Sequence, residues 1–310
     1  MLLLALDRES ETELTEHSVI VAERRFTEPL ETRLAGRQAG PEVVLNWLGQ
    51  AGFVIDAAGR RLLIDPYLSD TLADKYRGTA TPHERMAPPP VGLAGLGRVD
   101  LVLATHHHTD HMDPGTLAPL AELQPDLRFV VPRASRAEAL GRTGASEGRL
   151  ILTDAGDIIE PWPDLSIVAL RAAHETLERD EEGHHRFLGY ALVFKQDGRP
   201  RITIVHSGDT VPFEGQAEEI RRLEPDLLLL PVNGRSEALS ARGVAGNLTL
   251  DEAVALTTES GASVMVAHHH GLFAFNTLPL AVIERKAAES GLPVRIIPAS
   301  EGLEVGVSWP

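Results

Sequence analysis

The sequence predicts an α/β protein in which β-sheets are covered by helices. Three observations carry that expectation. Short apolar runs rich in β-branched residues recur from residue 42 onward, and helical patterns alternate with several of them. A chain of 310 residues with 43% hydrophobic content also has enough apolar material to bury a sizeable core.

Taken in order, residues 1–40 are charged and weakly patterned. They read as an N-terminal extension preceding a domain over 41–310, with "SVIVAERRFTEPLETRLAG" expected to be helical. "VVLNWL", "GFVIDA" and "RLLIDPYL" follow as a strand meander separated by turns. Residues 70–97, rich in Pro, Gly and charge, read as a long loop of the kind that often carries function. "VDLVLATH" is a buried strand running straight into "THHHTDHMD" at 105–113. "DPGTLAPLAEL" then begins a helix, with Asp113 as N-cap and Pro114 at its first position. Later strands are expected at "RFVVP", "LSIVAL", "LGYALVF", "ITIVHS", "DLLLLPV", "SVMVAH" and "VRIIP". Helices are expected at "RASRAEALGRT", "GQAEEIRRLE", "LDEAVALTTESG" and "PLAVIERKAAESG".

Composition narrows the function. With 29 basic against 45 acidic residues the net charge is −16, which disfavours nucleic acid and anionic membranes as partners and leaves a small molecule as the expected one. There is no cysteine, so disulfides, thiolate metal sites and a cysteine nucleophile are excluded. "MLLLALDRESE" is too short and lacks the basic flank of a signal peptide, and no apolar run reaches membrane-spanning length, so a cytoplasmic location is expected.

The histidine run is the densest chemical feature. On an extended segment His106 and His108 face one way and His107 the other. A turn after Thr109 would bring Asp110 and His111 into the same space, giving the pattern H-x-H-x-D-H. Lying between a buried strand and a helix, it belongs at the carboxyl edge of a sheet, where ligand pockets of α/β folds form. Four donors from one segment would strain around one ion but serve two if other segments complete the shells. His174, Asp209 and His268 each lie at or just past the end of a β-like run. Imidazole and carboxylate donors suit zinc, manganese or iron.

"DPY" at 65–67, "THHHTDHMD", His174, "HSGDT" at 206–210 and His268 together resemble the metallo-β-lactamase superfamily over roughly residues 42–300. The resemblance implies an αββα sandwich of two mixed sheets with a dinuclear metal site at one edge. It implies His106, His108 and His174 on the first metal, Asp110, His111 and His268 on the second, and Asp209 bridging. Asp65 would brace the site by hydrogen bonding rather than ligation. His206 is expected behind the ligands. "NWLGQAGFVID", "LLIDPYLSD", "LPVNGR", "GNLTLDEA" and "HHHGLFAFNT" look like the L-ascorbate-6-phosphate lactonase-like branch, although His270 stands where that group often has an acidic residue.

Two such metals share a water and lower its pKa, so that the resulting hydroxide attacks an electrophilic carbonyl. Asp110 is the expected catalytic residue, orienting that hydroxide and passing its proton to the leaving group. The expected reaction is the opening of a lactone such as a sugar-phosphate lactone. Phosphodiester hydrolysis by the same metal pair is the alternative. Arg235 and Arg242, seven apart, are expected to hold a phosphate, with Asn233 and Asn247 adding neutral hydrogen bonds. The resemblance also suggests a homo-oligomer, with residues 1–40 as a contact.

Overall fold

The computed structural model describes residues 19–36, 40–196, 198–199 and 201–310. Its first half runs β1 (Ile20–Arg25), α1 (Leu30–Leu34), β2 (Val43–Gly49), β3 (Gly52–Ala57), β4 (Arg60–Ile64), α2 (Thr71–Lys75), β5 (Leu101–Leu103), α3 (Pro114–Leu123), β6 (Arg128–Pro132), α4 (Arg136–Thr143) and β7 (Leu150–Thr153). The second half runs β8 (Ile158–Trp162), β9 (Leu165–Arg171), β10 (Leu188–Phe194), β11 (Ile202–His206), α5 (Gln216–Arg221), β12 (Leu227–Pro231), α6 (Glu237–Ser240), α7 (Leu250–Glu259), β13 (Val264–His268), α8 (Leu280–Ala287), β14 (Arg295–Pro298) and β15 (Leu303–Ser308).

These strands form two mixed sheets. One has the order β1-β15-β2-β3-β4-β5-β6-β7, the other β14-β13-β12-β11-β10-β9-β8. In the first sheet β4 through β7 run parallel and the other neighbours antiparallel; in the second β11 through β14 run parallel and β8 through β11 antiparallel. Alternation along the strands sorts side chains into layers. Phe53, Ile55, Leu62, Ile64, Leu101 and Leu103 face Ile167, Leu192, Ile204, Leu229 and Val266 in the core between the sheets. The intervening residues Val54, Leu63 and Val102 pack under α3 and α4 with Leu117, Leu120 and Ala139. Leu228, Leu230 and Met265 pack under α7 and α8 with Ala253, Leu256 and Ile283. The result is the expected helix–sheet–sheet–helix sandwich.

The segment around residue 20 departs from the sequence expectation. Ile20–Arg25 is a strand, pairing antiparallel with β15 from Ile20↔Ser308 to Arg25↔Leu303, not a helix. Its burial alternates only weakly, because it is the sheet's edge, and that is why its pattern reads poorly. Residues 20–34 are therefore part of the sandwich, and the expected boundary at residue 40 falls inside it; residues 1–18 lie outside the described residues. Buried Glu304 on β15 anchors this edge by accepting from Arg24 at 3.1 Å and from Arg33 at 3.0 and 3.2 Å.

The Asp113 cap forms as expected. Its Oδ1 accepts from Gly115 N at 3.0 Å and its Oδ2 from Thr116 Oγ1 at 2.6 Å, with Pro114 opening α3. This cap sets the direction in which the chain leaves the histidine run.

Candidate metal centre

The residues singled out by sequence converge on one edge of the sandwich, where strand ends from both sheets meet. The loop after β5 carries His106, His108, Asp110 and His111; His174 follows β9 and Asp209 follows β11. Three sets of donor atoms lie within 4.8 Å of one another: His106 with His108 and His174, His106 with His111 and Asp209, and Asp110 with His111 and His269. His107 is in none of these sets; its carbonyl instead accepts from Arg142 Nη1.

His269, not His268, completes the third set. Period-two alternation puts His268 on the same face as Val264 and Val266, inside the inter-sheet core. There it stacks on His206 at 4.9 Å and meets the edge of Phe53 at 5.4 Å. One residue on, the chain adopts a left-handed conformation (φ 61° at His269), with His269 N donating to Gln50 O at 2.8 Å. That turn returns the His269 ring to the carboxylates, its Nε2 lying 3.2 Å from Asp209 Oδ2 and 3.9 Å from Asp110 Oδ2. The expectation for His268 is thus corrected by one position. His270 turns away again and stacks on Trp47 at 5.1 Å.

The surrounding residues set the tautomers. Asp65, itself at φ 45°, accepts from Thr105 N at 2.7 Å, from Thr105 Oγ1 at 2.6 Å and from His111 Nδ1 at 2.7 Å. His111 therefore presents Nε2 to the site. Thr105 has given its only proton to Asp65, so it accepts from His106 Nδ1 at 3.0 Å, and His106 likewise presents Nε2. Asp65 thus holds the His111 ring in place through a hydrogen bond. His206 donates through Nε2 to Ala51 O at 2.9 Å and accepts at Nδ1 from Gly208 N at 3.1 Å, behind the donor sets rather than among them. Gly208 has φ 63°, and a Cβ there would sit 2.2 Å from Leu188 O, so the turn that delivers Asp209 admits only glycine.

Sequence reasoning missed Gln50. It occupies a left-handed position (φ 50°) in the turn between β2 and β3 and donates through Nε2 to Asp110 Oδ2 at 2.9 Å. Its one visible signal is a polar residue in the otherwise apolar "WLGQAGF". Phe187 was also missed; its ring packs on His106 at 5.1 Å and His174 at 5.2 Å.

The electrostatics match a cation site. Burial, reinforced by His111 and His108, holds His106 well below the usual histidine range, and burial with His174 lowers His108 to about 3. Burial also depresses His174. Burial alone would raise Asp209, but His269 and His111 reverse this and hold it well below the usual carboxylate range. Burial would depress His111, but Asp209, Asp65 and Asp110 together raise it well above normal. His106 Nε2, His111 Nε2, His269 Nε2 and Asp209 Oδ1 are buried without a hydrogen-bond partner. His268 and His270 also bury unpartnered nitrogens, but against aromatic rings. What marks the site is the convergence of unpartnered donors from several segments, and divalent cations fit that donor set.

The expected substrate residues divide. Arg242 lines a cavity of about 350 Å³ that opens over the donors, together with Gln50, His108, Asp110, His174, Asp209 and His269. Arg235 does not: it grips Glu252 with two 2.6 Å bonds and donates to Asn247 O at 3.1 Å. The segment between the two arginines is helical only over Glu237–Ser240, so seven-residue spacing does not align them. Asn233 and Asn247 also stand back from the cavity. Asn247 Nδ2 donates to Asn233 Oδ1 at 3.0 Å, and Asn233 Nδ2 to Asn276 Oδ1 at 3.0 Å; of these three asparagines it is Asn276 that lines the cavity.

Residues 60–270 match the model of the β-lactamase superfamily domain. The chain belongs to the metallo-β-lactamase superfamily. It is 27% identical over 304 residues to a UPF0173 metal-dependent hydrolase of Polynucleobacter asymbioticus, covering 92% of this chain and 93% of that protein. Over 154 residues it is 25% identical to N-acyl-phosphatidylethanolamine-hydrolyzing phospholipase D 1 of Caenorhabditis elegans, covering 48% of this chain and 42% of that one. Its fold is similar to that of an isothiocyanate hydrolase from Delia radicum gut bacteria, with a TM-score of 0.65 and 19% identity over 84% of this chain and 98% of that one. The αββα architecture is that of the superfamily. Among the described residues no helix is long and apolar enough to cross a membrane.

Proposed function

We propose that this protein is a metal-dependent hydrolase that opens a small cyclic ester, a lactone or related acyl compound, using two divalent cations held by His106, His108, His174, Asp110, His111, Asp209 and His269. The observation that carries this reading is the convergence of those donors, from both sheets, beneath a cavity of about 350 Å³. Its similarity to a relative named as a metal-dependent hydrolase supports it. Zinc, manganese and iron all suit the nitrogen and oxygen donors.

A bound divalent pair supplies Lewis acidity toward the carbonyl oxygen and acidifies water. The protein's own groups do the rest. Asp110, oriented by the Gln50 amide, would take the attacking water's proton. That proton passes to the ester oxygen as the acyl C–O bond breaks, and water's OH remains on the acyl carbon, giving a hydroxy acid. Asp65 and Thr105 hold His111 and His106 in the tautomers that leave Nε2 free. No side-chain nucleophile is required, in keeping with a chain that has no cysteine.

A second reading, attack on a phosphodiester, draws support from the resemblance to a phospholipase D that covers 48% of the chain. The deciding experiment measures metal content, then screens lactones, sugar-phosphate lactones and phosphodiesters against wild type and Asp110→Asn. Lactone turnover that D110N abolishes while remaining folded is the expected result. Turnover of phosphodiesters alone favours the second reading, and lactone turnover unchanged by D110N overturns the mechanism.

A further inference from the structure

We infer that the substrate is a small amphipathic anion, with a flat apolar portion and an oxyanion separate from the bond that is cut, and that Arg242 selects it by holding the oxyanion. The inference rests on the hydrolase reading for the role of the cavity, but its chemistry is read from the cavity's other walls.

The first observation is charge. The chain carries −16 overall, yet among the described residues the only carboxylates lining the cavity are Asp110 and Asp209, and both belong to the donor sets. Against them stand Lys75, Arg142 and Arg242. Once cations occupy the donors, the cavity is strongly positive within an acidic surface. That arrangement draws a small anion inward while the rest of the surface repels it.

The second observation separates these cations. Arg142 is spent on structure, donating to the carbonyls of His107 and Met112. Lys75 lies over the Tyr76 ring at 5.0 Å. The guanidinium of Arg242, among the described residues, has neither an ion pair nor a side-chain hydrogen bond, although its loop is well held. Arg242 N donates to Leu239 O at 2.9 Å, Val244 N to Leu239 O at 3.0 Å, and Ser240 Oγ to Glu175 Oε1 at 2.6 Å. Glu175 directly follows His174, so this last bond ties the Arg242 loop to the metal edge. A planar five-donor fork, exposed at the mouth on a backbone-anchored loop and without a carboxylate partner, matches carboxylate or phosphate.

The third observation is the facing wall. His83 stacks on Tyr76 at 4.2 Å and 26° and meets the edges of Phe273 at 5.0 Å and Phe275 at 4.8 Å. The two loops that carry these rings are pinned together by Met86 N donating to Leu272 O at 2.8 Å. His83 donates through Nδ1 to Thr81 O at 2.8 Å, and burial lowers its pKa, which favours the uncharged ring. A rigid, neutral aromatic face is suited to a flat apolar group.

The test is equilibrium binding to the metal-loaded protein by calorimetry, which needs no turnover. The probes are 4-phenylbutyrate, phenethyl phosphate, the neutral 4-phenylbutanamide, and butyrate, which lacks the ring. Both aromatic anions are expected to bind about tenfold or more tightly than the amide. Arg242→Gln should erase about tenfold of that advantage, Arg242→Lys should restore part of it, and Arg235→Gln should leave it unchanged. Butyrate should bind about tenfold more weakly than 4-phenylbutyrate. The ratio of carboxylate to phosphate affinity then identifies which oxyanion the site prefers. Anion binding insensitive to R242Q, meaning that the metals alone hold the anion, overturns the role of Arg242. Equal affinity for butyrate and 4-phenylbutyrate overturns the aromatic wall. Arg242-dependent binding without hydrolysis of any ester would leave this inference standing and sink the hydrolase reading instead.

Discussion

The two ends of the sandwich each hold a cavity, and the larger one is at the wrong end for chemistry. The cavity over the histidine run measures about 350 Å³; the one at the opposite rim, between the β3–β4 turn and the β8–β9 turn, measures about 450 Å³. At the opposite rim the charged groups answer one another. Arg60 holds Asp164 with bonds of 2.7 and 2.6 Å and lies over the Trp162 ring at 4.8 Å. At the metal edge the polar groups are aimed inward without partners, and Gln50, Asp65 and His269 hold positive φ angles that cost energy. The comparison teaches that volume does not locate a site. Convergent polar atoms left unpaired, and backbone strain tolerated in order to aim them, do so.

The sharpest way to break this contrast is Asp209→Ala, which removes the carboxylate lying between His111 and His269. We expect hydrolysis to fall roughly a hundredfold or more, with bound metal reduced when measured by atomic absorption; wild-type metal content and rate would show that the edge is not the centre. A paired comparison sharpens the assignment of donors. His269→Ala should lose metal with modest effect on stability. His268→Ala should keep its ligands but leave a hole beside Phe53 and His206, lowering unfolding free energy by roughly 2–4 kcal/mol in denaturant titration. The reverse pattern would return His268 to the metal. Asp65→Asn weakens the hold on the His111 tautomer, and metal affinity is expected to drop about 10–100-fold in chelator competition.

Smaller effects belong to the charged groups away from the metal edge. Arg60→Ala should leave turnover within about twofold and cost about 1 kcal/mol of stability, because the pair is partly exposed and screened. Glu252 gives a pH signature. The Arg235 guanidinium, aided by hydrogen bonds from Thr249, lowers Glu252 from the ordinary 4.5 to about 2 against the opposing cost of burial. A folded-state value below the unfolded one means that the stabilisation is present above pH 4.5 and is lost as pH falls through about 2. Partial exposure limits it to roughly 1 kcal/mol. Arg235→Gln should flatten that segment of the stability–pH curve, and an unaltered slope would free Arg235 for another role.

Much of this fold was legible because its signals are local. The strand alternation of β2 through β5, the Asp113 cap and the strand ends bearing His174 and Asp209 could all be read from neighbouring residues. The edge strand β1 was not, since its face is only half covered and its partner, β15, lies some 280 residues away. Arg235 and Arg242 look alike in sequence. Glu252 claims the first and leaves the second, a distinction created by the chain's return through α7.

The order of residues by itself marked a candidate metal-binding edge: H-x-H-x-D-H after a buried strand admits few other uses, and without cysteine its donors are nitrogen and oxygen. Tertiary structure alone decided which histidine of three reaches the other donors. Alternation sends His268 into the apolar layer between the sheets, and a left-handed turn, held by a hydrogen bond to Gln50 more than 200 residues earlier, sends His269 to the carboxylates. The reason is that a side chain's direction depends on backbone angles, and those angles are set by contacts between segments remote in the chain.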